Sequence, residues 1–286
     1  MNPGTEQTTR FRSVILAGER PGGSPISHAF NVPASVMVPV AGQPSLARVV
    51  QAIETSQRAS GGIICGPAAD VVSGSEELQG VLKNPGFEWL APAEGPAASA
   101  LSALEKLDHF PALLTAGDHA LLTAEIVDNF CSLAISPGSA DGLEQTPSPD
   151  ADVETGYDLV IGFVPYALVK AAWPESRRTV LKFSNGQFCG SNLFAIMTPK
   201  GRKALEFWRQ AEADRKHPWR IARRFGFMAL LLYLFRRLSL EDTLGGLSKA
   251  AGCRIGHVKV EFARAAVDVD SIEDQKLAEK ILFGER

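Results

Sequence analysis

Four stretches of this chain carry residue types that can do chemistry together. The first is Leu113-Leu114-Thr115-Ala116-Gly117-Asp118-His119, an apolar run that ends in Gly-Asp. In open α/β sheets ligands gather at the carboxyl ends of strands, and a carboxylate there can hold a hard cation that bridges phosphates. The second is Asp268-Val269-Asp270. Alternate side chains of an extended segment share a face, so both carboxylates point the same way. If one parallel sheet brings the two segments side by side, Asp118, Asp268 and Asp270 together form a cation site. The third stretch is Gly18-Glu19-Arg20-Pro21-Gly22-Gly23. Small residues let backbone N–H groups approach an anion, and Arg20 sets a guanidinium beside them. The fourth is Gly95-Pro96-Ala97-Ala98-Ser99, a helix start whose N–H groups and hydroxyl can meet a nucleobase or phosphate. Each has a plainer reading: a turn-ordering carboxylate, a helix cap, a ligand-free Gly-Pro turn, an ordinary helix N-terminus. The loop lacks both GxGxxG and GxxxxGK[ST], so neither a dinucleotide fold nor a P-loop NTPase is supported.

These residues need elements to place them. Ser13–Ala17 reads as a buried strand that runs directly into the glycine loop. Val36–Val40 is a second short run before the turn Gly42-Gln43-Pro44, and a helix begins near Ser45. Strands are expected at Gly61–Cys65, Phe87–Ala91 and Ala112–Ala116, with helices over Glu76–Leu82, from Gly95 to Lys106, and over Thr123–Leu133. This alternation predicts a mainly parallel sheet with helices on both faces. Ser136–Gly156 is rich in Pro, Gly, Ser and Asp and reads as a flexible loop. Asp158–Val164 resumes the sheet, and Asn185-Gly186 predicts a hairpin between Thr179–Phe183 and Cys189–Met197. Helices follow over Lys200–Ala213, Pro218–Leu238 and Leu240–Ala251, making 199–252 a helical insertion. Short strands are expected at Val258–Val260 and Ala266–Val269, and Ser271 with Asp274 opens the last helix as a near capping box.

The whole chain sets bounds. Its 286 residues suit a single α/β domain with a helical insertion. A net charge of −3 gives no field that gathers nucleic acid. Four scattered cysteines form no CxxC, so neither a metal cluster nor a disulfide framework is expected, and a reducing cytoplasm is the expected setting. The basic and apolar stretch 215–238 has two readings: burial against the sheet, or a peripheral membrane contact. The oligomeric state is not legible.

Taken in order, these motifs resemble the MobA-like nucleotidyltransferase family. The resemblance rests on Leu16-Ala17-Gly18…Arg20, Pro39-Val40-Ala41-Gly42-Gln43-Pro44, Gly95…Ser99, Thr115…Asp118-His119-Ala120-Leu121-Leu122-Thr123 and Asp268-Val269-Asp270-Ser271-Ile272-Glu273-Asp274. It implies a three-layer α/β sandwich with a mainly parallel mixed sheet, of the glycosyltransferase-A or nucleotide-diphospho-sugar transferase type.

It also implies a Mg²⁺-dependent transferase that joins a nucleoside triphosphate to a small phosphorylated acceptor and releases pyrophosphate. Carried over, Leu16 to Arg20 with Gly22, Gly23 and Ser35 would line the triphosphate. Gly95 and Ser99 would meet the base, and Asp118, Asp268 and Asp270 would hold the cation. Arg20, Asp118 and Lys182 would be catalytic. Arg178, Lys182, Gly190 and Asn192, on and beside the hairpin, would face the acceptor.

The sequence departs from the family in three places. Ser35 stands where the family carries a lysine, Gln43 replaces a basic residue, and Glu19 stands where a second glycine is usual. Arg20 or Lys182 could supply the missing charge. An alternative is therefore a catalytically weakened nucleotide- or lipid-binding protein on the same scaffold. A glycosyltransferase is a third reading, opposed by the lone Gly-Asp-His in place of Asp-x-Asp.

Overall fold

A computed structural model describes residues 9–107, 109–136, 156–213 and 238–284. The strands are β1 (Phe11–Leu16), β2 (Pro39–Val40), β3 (Gln43–Pro44), β4 (Ala59–Cys65), β5 (Phe87–Leu90), β6 (Ala112–Ala116), β7 (Leu159–Pro165), β8 (Leu181–Phe183), β9 (Gly186–Ile196) and β10 (Ile255–Lys259). The α-helices are α1 (Pro25–Ala29), α2 (Ser45–Glu54), α3 (Ala69–Ser73), α4 (Glu76–Leu82), α5 (Pro96–Lys106), α6 (Ala124–Ile135), α7 (Tyr166–Ala172), α8 (Arg202–Ala213), α9 (Leu240–Ala251) and α10 (Ile272–Phe283).

The main sheet runs β10-β7-β9-β6-β1-β4-β5, with β8 hung on β9. β1 lies between β4 and β6, parallel to both. β9 is antiparallel to β6 and β7, and β10 is parallel to β7. The sheet is therefore mixed and mainly parallel, as expected.

Alternation along β1 sorts side chains into two layers. Phe11 and Ile15 enter a core with Leu46, Val49, Val50 and Ile53 of α2, Leu78 of α4, and Ile126, Val127 and Phe130 of α6. Val14 enters the opposite core with Ala100, Leu101 and Leu104 of α5, Leu205 of α8, and Leu240 and Leu244 of α9. The α2 residues recur with the three-and-four spacing of a single helix stripe. Each such enclosed side chain contributes about 1.5–3 kcal/mol by leaving water, which is what clamps the helices onto the sheet.

Two local expectations shift, and two stretches lie outside the described residues. The hairpin forms, but Ser184 and Asn185 are its turn, and Gly186 is the first residue of β9. Ala266–Val269 is not a strand: a 3-10 turn covers Ala263–Ala266, and the following residues are extended without joining the sheet. Of the 199–252 stretch, α8 and α9 are described, whereas the helix expected at 215–238 lies outside the described residues apart from its last residue. Most of the 136–156 loop lies outside them too. Among the described residues no helix is long and apolar enough to cross a membrane.

Candidate active site

The parallel strands end together, and their turns are stitched to one another. The N–H of Gly117 donates to the Leu16 carbonyl (2.8 Å), and that of Ala17 donates to the Cys65 carbonyl (2.8 Å). The loop after β1 therefore stands beside the Asp118 turn after β6. Gly117 fits this junction closely. A Cβ there would meet Val36 Cγ1 at 3.0 Å and the Ala17 Cβ at 3.4 Å.

The C-terminal acidic segment reaches this turn through apolar packing. Val267 and Val269 are fully buried with Val38, Val40, Ala120, Leu121 and Ala278, while Asp268 is half-buried and Asp270 exposed. The period of two thus drives the valines inward and leaves the carboxylates on the other side. The N–H of Val269 donates to the Asp118 carbonyl (3.1 Å), fixing the register. Arg48 of α2 steadies the same turn, its Nε donating to the Ala120 carbonyl (2.9 Å). Gln275 of α10 does the same for β2, its Nε2 donating to the Pro39 carbonyl (3.0 Å).

Asp118 Oδ1 is enclosed and has no hydrogen-bond partner. Burial first, then the charges of Asp270 and Asp268, push the Asp118 pKa up to about 7. Burial and Asp268 also raise Asp270, opposed by Arg178 and Arg20. The same interactions put Arg20 of the glycine loop within electrostatic reach of Asp270. Next to Asp118, His119 is fully enclosed. Burial pushes its pKa down to about 4 against the pull of Asp268, so its ring is neutral.

Asp268 is committed elsewhere. Its Oδ1 accepts from Arg178 Nη1 (2.8 Å) and its Oδ2 from Asn192 Nδ2 (3.3 Å). Arg178, whose side chain is only 8% exposed, also pairs with Asp274 of α10. The other Asp274 oxygen accepts from the Ser271 hydroxyl (2.6 Å), so one carboxylate both steadies the N-cap serine of α10 and clamps Arg178. Asn192 adopts a left-handed backbone, φ 52°, at the bend of β9.

The placement of the expected residues is therefore uneven. Arg20, Asp118, Asp268, Asp270, Arg178 and Asn192 converge. Asp118, Asp268 and Asp270 do not make a ready cage: among the described residues no group of three or more His, Cys, Asp or Glu side chains is arranged to hold a metal ion. Both Asp268 oxygens are instead taken by Arg178 and Asn192. Arg178 and Asn192, expected to face the acceptor, are bonded here to Asp268, and Arg178 to Asp274 as well. Lys182 is exposed on β8 opposite Gln187, and no hydrogen bond or ion pair ties it to the acidic group. Gly190 is exposed, with open space above its Cα.

Gly95, φ 91°, begins α5, and Ser99 is 5% exposed. The Ser99 hydroxyl accepts from the Ala93 N–H (2.9 Å), so it shapes the loop before α5 from inside. Gly22 and Gly23 both need the left-handed region, φ 83° and 85°. Ser24, His28 and Asp274 also shape the site. The sequence flags Asp274 only as a helix cap, and it gives no local signal for the other two.

A two-carboxylate cation site does fit these residues. Mg²⁺ takes one or two carboxylates and fills its shell with water and substrate oxygens. Asp118, with its partnerless oxygen, and Asp270, whose charge reaches it, offer that donor set.

Comparison with known proteins agrees with this geometry. The model of the MobA-like NTP transferase domain matches residues 14–147. No curated protein matches the chain. A hypothetical transferase from Thermus thermophilus is 25% identical with a TM-score of 0.70, over 93% of this chain and 100% of that one. A CMP:2-keto-3-deoxy-manno-octonic acid synthetase, solved with CTP, superposes with a TM-score of 0.55 at 11% identity, over 97% of this chain and 100% of that one. The 4-diphosphocytidyl-2C-methyl-D-erythritol synthase of Anaerococcus prevotii gives a TM-score of 0.53 at 10% identity, over 96% of each chain. The last two bear on the fold alone. The chain thus shares its fold with nucleotidyltransferases of known structure, and its residues 14–147, which carry the glycine loop and the acidic turn after β6, are similar to the MobA-like NTP transferase domain.

Proposed function

We propose that the chain is a Mg²⁺-dependent nucleotidyltransferase that joins a nucleoside triphosphate to a small phosphorylated acceptor. An acceptor phosphate oxygen bonds to the α-phosphorus, the bond to the bridging β-phosphate oxygen breaks, and pyrophosphate leaves. The observation that supports this reading is the enclosed, partnerless Asp118 oxygen, within electrostatic reach of Asp270, in the turn after β6 beside the glycine loop.

An enclosed carboxylate that a second carboxylate repels is costly unless a cation compensates the pair. Asp118 and Asp270 are the residues that would hold the ion. When bound, Mg²⁺ neutralises phosphate charge and polarises the phosphoryl oxygen under attack.

The chain's own residues do the rest. Arg20 stands on the phosphate side, where its guanidinium can balance charge on the leaving pyrophosphate. The Arg178–Asp268–Asn192 network holds the acidic segment rigid, so Asp270 keeps its place. Val267 and Val269 exclude water behind it. The open surface over Gly190 leaves room for an acceptor.

Pyrophosphate release is the direct assay, with each nucleoside triphosphate against a panel of sugar, polyol and cofactor phosphates. CTP heads the panel, because the fold neighbours include a CTP-bound synthetase. Release that depends on both acceptor and Mg²⁺ is expected. Tight Mg²⁺–nucleotide binding without turnover on any acceptor would overturn the transferase reading in favour of a binding protein.

A further inference from the structure

Glu19 is the loop residue that the proposed chemistry leaves without work. Its side chain folds back into its own loop. Oε2 accepts from the backbone N–H of Ser35 (2.5 Å) and from the Ser24 hydroxyl (3.4 Å), and Oε1 accepts from the N–H of Arg20 (2.8 Å). Ser35 opens the 3-10 turn Ser35–Met37, and its N-cap residue, Ala34, offers no side-chain acceptor. The loop is latched on its other flank as well. His28 Nε2 lies 2.8 Å from the Gly22 carbonyl oxygen, and a Cβ on Gly23 would meet that nitrogen at 2.5 Å. The loop is thus folded around one of its own carboxylates, and two backbone N–H groups and a hydroxyl converge on that anion.

Backbone N–H groups that hold a carboxylate hold a phosphate oxygen by the same geometry and the same charge. Two anions cannot share these donors at such distances. We propose that Glu19 is a built-in surrogate anion: its carboxylate occupies the phosphate cradle of the empty protein, and a phosphate chain binds by expelling it. The nature of the incoming phosphate rests on the nucleotide reading given above; the occupied cradle does not.

Glu19 is half-buried, so its carboxylate can swing into water without passing through the core. The same movement releases the Arg20 N–H to the incoming anion. The device sets a threshold, since weakly charged anions cannot displace a carboxylate already in place.

Two variants of the full chain test this, Glu19→Ala and Glu19→Gln. The first empties the cradle, and the second keeps its shape while removing the charge. Inorganic pyrophosphate and Mg²⁺–CTP are titrated into each by calorimetry. Pyrophosphate should bind Glu19→Ala at least tenfold more tightly than wild type, with Glu19→Gln in between. Crystals of Glu19→Ala soaked in pyrophosphate should show an oxygen on the Ser35 N–H. If the alanine variant fails to fold, a gain in the isosteric glutamine variant supports the proposal and its absence overturns it. Unchanged or weaker pyrophosphate binding in folded variants overturns it, and Glu19 is then a tether that shapes the loop. A pyrophosphate gain without a nucleotide gain supports the surrogate anion and counts against the nucleotide reading. A nucleotide gain without a pyrophosphate gain overturns the surrogate anion.

Discussion

Asp118→Asn should make the metal-free protein more stable while removing its cation. The wild-type carboxyl titrates from an ordinary 3.8 to about 7 in the fold, through burial, Asp270 and Asp268. Between those two values the folded chain keeps a proton that the unfolded chain has lost. Stability therefore falls as pH rises through this window, and the deficit is complete above pH 7. Three pH units correspond to about 4 kcal/mol. Asparagine keeps the shape without the charge, but it needs a partner for its buried amide, which costs about 1–3 kcal/mol. The net gain at pH 8 is then about 1–3 kcal/mol, or several degrees in melting temperature at roughly 2–4 °C per kcal/mol. Thermal melts of both proteins at pH 5 and pH 8 in EDTA measure it. The difference between the proteins is the quantity to read, because titrations they share cancel. The variant should overtake wild type only at the higher pH. Added Mg²⁺ should then raise the wild type and leave the variant where it was. A variant less stable than wild type at pH 8 without metal would refute the reasoning, because Asp118 would then be an ordinary turn cap.

Other expectations follow from neighbouring contacts. Arg178→Gln leaves Asp268 and Asp274 without their cation and should cost about 2–3 kcal/mol in urea unfolding, below the full cost of breaking a buried pair because Asp268 is partly exposed; Arg178→Lys should recover part of this loss. His119 works against Asp118 in acid. Its folded pKa of about 4 lies below the unfolded 6.5, so the unfolded chain takes the proton first and stability drains away as pH falls through that interval. The loss is on the order of 3 kcal/mol, and His119→Gln should flatten that limb of the urea stability profile between pH 7 and pH 4.5. Gly117→Ala should lower the melting temperature and weaken nucleotide binding together, since its methyl group would press on Val36 and Ala17 at once.

The first half of the fold is legible because its strands are short apolar runs closed by glycine. β1, β4 and β6 need no distant information to declare themselves. Asp268-Val269-Asp270 is only half legible. Its alternation correctly separates valines from carboxylates, yet strand status requires a neighbour. This segment finds only the Asp118 carbonyl to bond with, through Val269. Arg178 misleads for a related reason. Beside Arg177 and a strand it reads as an anion-binding surface, but its true partners, Asp268 and Asp274, come some 90 residues later and leave no local trace. Glu19 is visible as a misplaced charge, whereas the Ser35 N–H that welcomes it belongs to a turn no pattern marks.

The valine seam that fastens 267–270 to the turn after β6 bears on how the protein is made. The glycine loop leaves the ribosome well before Asp270. In the proposed reaction the site is complete only once Val267 and Val269 have emerged and docked Asp270 beside that turn. A truncation ahead of Val267 should therefore silence it while leaving β1, β4 and β6 paired.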